Sequence, residues 1–324
     1  MKKGFLILAA LAFFIAVVAK YAEVHSLTHR PLTVGFVHMK ENMATPWHRE
    51  NIASIKAVLA QSDINTIFYG GKSCEEQIRA VRYCARQKVD AIVVMPIEPL
   101  GWDHALNECR AGGIPVITIE RGINTADHSL ITTKIKSDAD KEGQELFELM
   151  DDFVKAAAPP KKDGQNYNIA ILLGIPWVEA TEGRRNGFLD AMLASPDITD
   201  YNIIGEEYGY FSRDKGYDAA KKILAGTKGK ADIICAQNDD MALGAVDAVT
   251  EAGMSPGKDI MIFSVDGLAE VERATAEGKI NGFVKNSPDY GAAVKQALDD
   301  ILQGQGALLA KGAEGRVYAV ETMR

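Results

Sequence analysis

Short apolar runs alternate with longer amphipathic ones along most of the chain, and the alternating series occurs twice. The first series runs from Leu32–His38 (LTVGFVH) through Ile64–Tyr69, Asp90–Met95 and Ile114–Ile119, with helical spacing in Trp47–Gln61, Glu75–Gln87 and Leu100–Ala111 between them. The run DAIVVM is continuously apolar after Asp90, as expected for a parallel strand covered on both faces, and IPVITI reads again as a buried strand. The second series has strands at Asn168–Leu173, Tyr201–Tyr208, Ala231–Ala236 and Asp259–Val265. Its helices fall at Asp138–Ala157, Val178–Leu193, Arg213–Ala225 and Met241–Glu251. A short helix after Asp266, a strand at Lys279–Lys285 and a helix at Pro288–Gln303 follow. Buried strands alternating with helices demand a parallel sheet with helices on both faces. Two series predict an α/β chain of two doubly wound parallel-sheet lobes. The break falls near Ser129–Ser137 (SLITTKIKS), whereas Pro159–Gln165 (PPKKDGQ) reads as a surface loop inside the second lobe.

What precedes the first strand speaks to compartment. Lys2 and Lys3 lead an uncharged apolar run of 16 residues, Gly4–Ala19, short of the roughly 20 that span a bilayer as a helix. Residues 1–19 read as a secretory signal cleaved after Ala19, or as an uncleaved signal anchor. Either exports the remainder, and the periplasm is the expected address. The 324 residues carry 36 basic against 44 acidic side chains, net −8. That sign disfavours a nucleic-acid partner, whose phosphates attract cations. The four cysteines include no C-x-x-C, and no His pair at i, i+4 accompanies them, so no metal is expected. Most read as small buried apolar residues. A helix would hold Cys74 and Cys84 about 15 Å apart, too far to bridge. Cys84 and Cys109 instead sit at similar depths in neighbouring parallel helices, where an exported chain has room for a disulfide. Cys74 and Cys235 would then stay free thiols.

Open parallel sheets bind ligands beyond the carboxyl ends of their strands. The residues there are Pro46-Trp47-His48, Glu120-Arg121-Gly122, Gly174–Trp177 with Glu182–Arg185, Tyr210-Phe211, Asn238-Asp239-Asp240, Asp266-Gly267 and Asn286. Acids and amides exchange hydrogen bonds with vicinal hydroxyls, arginine forks across two oxygens, and aromatic faces cover the apolar side of a sugar ring. The set suits a neutral polyol. Asp239 and Asp240 serve equally well as helix N-caps. An enzyme is disfavoured. There is no G-x-S-x-G elbow and no G-x-G-x-x-G, and Gly71-Lys72-Ser73 lacks the earlier glycine of a phosphate loop, residue 66 being Thr66.

Four motifs then become specific: Asn238-Asp239-Asp240-Met241-Ala242-Leu243-Gly244-Ala245, Ser264-Val265-Asp266-Gly267, Ile119-Glu120-Arg121 and Gly101-Trp102-Asp103. The chain resembles the type I periplasmic sugar-binding proteins of the ribose-binding group over about residues 32–310, and within them the galactofuranose-binding branch. The resemblance implies a monosaccharide, a furanose or related sugar, held between lobes joined by three hinge crossovers. These are expected near Ser137, near Asn286 and around Val317–Ala319. Residues 32–136 plus 287–316 would form one lobe and 137–286 plus 317–324 the other. The family's sugar contacts would fall on Trp47, His48, Glu120, Arg121, Arg184, Phe211, Asn238, Asp266 and Asn286, with no cofactor. Departures from the pattern are Glu120 where Asp is usual, His48, and a segment Ile175–Glu182 that adds Trp177 and Glu179. Glu179 either meets the ligand, favouring an amino-bearing sugar, or faces solvent. The implied partner is the permease of an ABC importer, or else a membrane sensor, with the binding protein a monomer. A repressor core of the same fold is excluded by the export signal in place of a helix-turn-helix.

Overall fold

A computed structural model describes residues 31–162, 164–302, 316–319 and 322–323. The export signal read at residues 1–19 lies outside them. Two sheets organise the chain. The first contains β1 (Leu32–Met39), β2 (Ile64–Gly71), β3 (Ala91–Val94), β4 (Val116–Ile119), β5 (Thr133–Lys136) and, from the chain's far end, β11 (Arg316–Ala319). The second contains β6 (Tyr167–Leu173), β7 (Tyr201–Tyr208), β8 (Ile233–Ala236), β9 (Met261–Asp266), β10 (Gly282–Asn286) and β12 (Thr322–Met323).

The strand orders are β11-β5-β4-β3-β1-β2 and β12-β10-β9-β8-β6-β7. Strands β1–β5 in the first sheet and β6–β10 in the second are parallel and share the doubly wound pattern, which turns outward from its first strand in both directions. The expected α/β architecture of two doubly wound lobes is what the chain adopts. One strand departs from parallel pairing: β12 runs antiparallel to β10.

Nine helices pack on these sheets among the described residues: α1 (Pro46–Gln61), α2 (Cys74–Arg86), α3 (Asp103–Ala111), α4 (Ala139–Ala157), α5 (Glu179–Ala194), α6 (Arg213–Gly226), α7 (Asp239–Glu251), α8 (Ala269–Ala276) and α9 (Gly291–Leu302). Each sheet is buried on both faces, giving two core clusters per lobe. This is why β3, β4 and β8 read as uninterrupted apolar runs. Tyr290, Val294, Ala297 and Leu298, at and before α9, join the first lobe's core beside α1, so the chain returns there after β10.

Two expectations need correction. Residues 317–324 do not all belong with the second lobe: Arg316–Ala319 pairs in parallel with Thr133–Lys136 in the first sheet, and among the described residues after it Thr322–Met323 pairs in the second. The third passage between sheets therefore lies after Ala319. No disulfide joins Cys84 to Cys109. Both are buried free thiols in one core cluster beneath α2 and α3, as Cys74 is, and Cys235 is a buried free thiol in the second lobe. Burial, with the neighbouring Cys84 adding to it, pushes the Cys109 thiol up to about 12, which leaves negligible thiolate to react.

Candidate functional site

The carboxyl ends of both sheets face a cavity of about 220 Å³. That is smaller than the roughly 300–1,000 Å³ pockets that enclose drug-sized ligands.

From the first lobe, β1 delivers the chain into a capped helix start. The Thr45 hydroxyl accepts from His48 N at 3.3 Å and lies 2.7 Å from His48 Nδ1, with Pro46 at the first helical position. The cap sets Trp47 and His48 on the cavity wall. Trp47 donates from Nε1 to the Asn286 carbonyl at 2.9 Å and packs edge-on against Tyr290 and His48. Its ring is thereby fixed.

Glu120 follows β4 in the left-handed region (φ 62°) and lines the cavity. His48 Nε2 lies 3.5 Å and Arg121 Nε 3.0 Å from Glu120 Oε2. Burial acts to raise the Glu120 carboxyl, but the charge of Arg121, the contact with His48 and the field of Arg184 outweigh it and hold it down at about 2. Arg121 itself stands behind the wall, where Nη1 donates to the Ile97 carbonyl at 3.1 Å. It braces Glu120 rather than lining the cavity.

From the second lobe come Arg184, Phe211, Asn238, Asp266 and Asn286, all on the cavity wall. Asn238, not Asp239 or Asp240, is the N-cap of α7: its Oδ1 accepts from Met241 N at 3.1 Å. Asp239 accepts from the Ser264 hydroxyl and, at 2.6 Å, from Leu268 N, tying α7 to the loop after β9. Arg184 is 5% exposed and threefold anchored. Its Nε donates to Glu142 at 2.6 Å, Nη1 to the Gln237 carbonyl, and Nη2 lies 3.3 Å from Asp266 Oδ1. Asn286 Nδ2 reaches the same Asp266 oxygen at 3.4 Å. Burial drives the Asp266 carboxyl well above the usual range despite Arg184, with Asp239 and Glu142 adding their repulsion. Phe211 (φ 55°) reaches the wall because Gly174 leaves room: a Cβ there would stand 2.0 Å from the Phe211 ring.

The structure thus brings eight of the nine predicted contacts to one cavity, with Arg121 a layer behind. It adds Thr45, Ala180 and the stretch Lys136 to Asp140. That stretch follows β5, which the sequence pattern hides in the break between series. A signal for it is present all the same: Thr133 and Ile135 alternate as buried positions, and Asp138 caps α4 by accepting from Lys141 N at 3.1 Å. Glu179 sits at the cavity mouth, half exposed, and pairs with Lys136, so it both lines the cavity and meets solvent. Trp177, 89% exposed, is not part of the wall. Trp102 of the Gly-Trp-Asp step is a core residue, fully buried and donating to the Glu98 carbonyl at 2.8 Å.

Three buried polar atoms on the wall make no well-formed hydrogen bond within the protein: His48 Nε2, Glu120 Oε2 and Asn286 Oδ1. Orphans of this kind are costly unless a partner arrives. Acceptors and donors alternate around them, and two aromatic rings stand alongside. No cluster of metal-ligating side chains occurs among the described residues. No described helix is long and apolar enough to cross a membrane.

Comparison with known proteins agrees with this geometry. The galactofuranose-binding protein of Escherichia coli (strain K12) is 31% identical over 271 residues, covering 83% of this chain and 81% of that protein. The periplasmic component of the arabinose ABC transporter of Shewanella sp. ANA-3, solved with α- and β-L-arabinofuranose, superposes with a TM-score of 0.77 at 32% identity, over 90% of this chain and 91% of that one. A Mycobacterium smegmatis protein solved with β-D-fucofuranose gives 0.74 at 31% identity, over 84% and 86%. The sequence model of the periplasmic binding protein domain matches residues 36–306. With that match spanning most of the chain, and with two doubly wound lobes closing on one polar cavity, this chain belongs to the periplasmic binding protein domain family.

Proposed function

We propose that the protein captures a monosaccharide, a furanose or related sugar, in the cleft between its lobes in the periplasm and delivers it to an ABC importer. One observation carries the reading: buried His48 Nε2, Glu120 Oε2 and Asn286 Oδ1 make no well-formed hydrogen bond within the protein, the first two having only the ion-pair contacts around Glu120, and all three belong to residues lining one cavity small enough for a single sugar ring. A polyhydroxylated ring supplies a donor or an acceptor to each, as each of its hydroxyls is both. Trp47 and Phe211 offer faces to its C–H side. Ionised Glu120 accepts, and Arg184 and Asn238 donate. Relatives that bind galactofuranose and arabinofuranose support the furanose class. Lys2, Lys3 and the apolar run after them support export, and the family supports delivery to an importer.

The test is a thermal-shift screen of the mature protein against pentoses, hexoses and methyl furanosides. A ligand that binds only the native state raises the melting temperature in proportion to the logarithm of its concentration over Kd. Sugars with an accessible furanose form are expected to give the largest rise. A screen in which no sugar moves the transition at millimolar concentration overturns the reading.

A further inference from the structure

Glu142 belongs to no sugar-contact motif and does not line the cavity, yet it is the least exposed acid among the described residues of the second lobe. It lies in the first turn of α4 with 0% of its surface exposed. Its Oε2 accepts from Arg184 Nε at 2.6 Å, and its Oε1 is buried without a hydrogen-bond partner. The pairing is imposed by helix packing. A Cβ on Gly143 would stand 2.1 Å from the Arg184 carbonyl oxygen, and one on Gly187 would stand 1.8 Å from that of Asp140. Bare glycine backbones therefore let α4 and α5 touch, and the touch sets Glu142 against Arg184.

Buried ion pairs contribute little to stability over well-packed apolar residues. A charged side chain held here needs another reason. We propose that Glu142 is a positioning residue for the cleft: it fixes the direction in which Arg184 presents its guanidinium to the ligand and competes with Asp266 for that cation. The proposal rests on the sugar-binding reading for its purpose but not for its geometry. Arg184 carries acids on two sides, Glu142 behind and Asp266 in front. Without the Glu142 oxygen behind it, Arg184 would be free to close fully on Asp266, and neither would be left open to a hydroxyl. With Glu142 Oε2 accepting from Nε at 2.6 Å, the guanidinium is drawn back, the Asp266 contact stays long at 3.3 Å, and both groups keep capacity facing the cavity. The charged and titratable groups facing Asp266 are Arg184, Asp239 and Glu142, with the Asn286 amide beside them. Those facing Glu142 are Arg184, Asp266 and the Tyr290 phenol, which stands between the second crossover and α9.

The test compares the wild type with Glu142→Gln and Glu142→Ala. Gln keeps an oxygen for Arg184 Nε but removes the charge; Ala removes both. The first readout needs no ligand: the 13C carboxyl resonance of Asp266, assigned with Asp266→Asn, is titrated in each protein. In Glu142→Gln the midpoint is expected to fall by about one pH unit, because a repelling neighbour is gone. The second readout is the Kd for L-arabinose and D-galactose at pH 8. Glu142→Ala is expected to weaken it roughly tenfold or more, since Arg184 loses its anchor, and Glu142→Gln to restore most of that loss. Loss of the charge alone lowers the midpoint whatever role Glu142 plays, so the rescue of Kd by Glu142→Gln is the readout that a merely structural role would not move. A Glu142→Gln variant that binds no better than Glu142→Ala overturns the proposal, and an unchanged Asp266 midpoint in Glu142→Gln overturns it even if Glu142→Ala does not fold. If the wild type binds neither sugar, the Kd comparison uses the sugar that gives the largest thermal shift; failure of every sugar in that screen overturns the proposed function, while the titration still tests the contact of Glu142 with Arg184 and Asp266.

Discussion

The cleft residues carry strain and repulsion that a structure built only for stability would shed. Glu120, Phe211 and Asp266 all hold positive φ, at 62°, 55° and 117°, where side chains with a Cβ are disfavoured by about 1–3 kcal/mol. Acids gather beside them. Burial raises Asp239 to about 7 and Asp240 to about 6, and lifts Asp266 well above its usual range. A carboxyl raised on folding gives stability that is fully present below its unfolded value near 3.9 and is lost as pH rises through its folded value. Glu120, held down at about 2, works the other way, giving stability above about 4.5 that is lost as pH falls through 2. The ligand-free protein should therefore melt at a higher temperature near pH 5 than near pH 8, which calorimetry at matched ionic strength would check; a flat profile contradicts the assignment. The same logic makes Asp266→Asn informative. Replacing a carboxyl whose charged form burial disfavours should raise the melting temperature at pH 8, while sugar affinity falls roughly 30-fold or more because Asn offers Arg184 and the ring one uncharged acceptor oxygen in place of a carboxylate. Isothermal titration and thermal melts on one sample separate the two effects. These residues are legible in the sequence because each directly follows a strand. Their strain is not, since it arises from neighbours distant in sequence.

At the scale of elements, legibility follows burial. Strands covered on both faces, such as β3, β4 and β8, announce themselves as apolar runs. The edge-side strand β5 (TKIK) exposes alternate residues and disappears into the break between series. With it go Lys136 and Asp138, although Asp138 is a cap of the ordinary kind. The two-residue β12 carries no periodicity at all. The contact of α4 with α5 is invisible for another reason: Gly143 and Gly187 lie in separate helices, and only the fold sets each against the other's backbone. Gly187→Ala should cost about 1–3 kcal/mol through overpacking and also weaken sugar binding, because α4 and its cap carry Asp138, Asp140 and Glu142. Gly226, at the end of α6 with open space for 4 Å around the place a Cβ would take, is the matched control; Ala there should be neutral or stabilising by up to about 1 kcal/mol. Urea titrations of both variants, read beside their Kd, give the comparison. If Gly187→Ala leaves both quantities at wild type, close approach is not what holds Arg184. The cysteines obey the same packing rule. Parallel neighbouring helices do bring Cys84 and Cys109 into one core, but as buried thiols. All four should react with a thiol reagent only after unfolding, and a peptide linking Cys84 to Cys109 in a non-reduced digest would refute that.

For the whole molecule, the question is what couples the lobes. The cavity draws its wall from both, so a ligand that satisfies His48 Nε2 and Glu120 on one side and Asn286, Arg184 and Asp266 on the other binds only when they are together. Such a ligand pulls the equilibrium toward closure by its difference in affinity for the two states. Hinge closure of this kind is the motion known for periplasmic binding proteins as a class. The contacts that join the lobes are unequal. Near the second crossover, α1 is fastened by Trp47 Nε1 to the Asn286 carbonyl and by Asn51 Nδ2 to the Pro288 carbonyl, both at 2.9 Å, the first buried and the second partly so. At the mouth, Lys136 and Glu179 pair at 33% and 50% exposure, where an ion pair is worth at most about 1 kcal/mol and is screened by salt. The crossovers should therefore serve as the pivot and the mouth should open. Small-angle scattering is expected to show the radius of gyration falling when a binding sugar is added. Trp47→Phe, which keeps a ring but loses the donor to Asn286, should loosen the pivot and weaken binding by roughly three- to tenfold, the worth of one buried hydrogen bond. Raising salt should widen the ligand-free ensemble by releasing the mouth and leave the saturated one unchanged. A radius of gyration that stays constant from no sugar to saturation would mean that the cavity fills without the lobes moving, and the pivot assignment would fall with it.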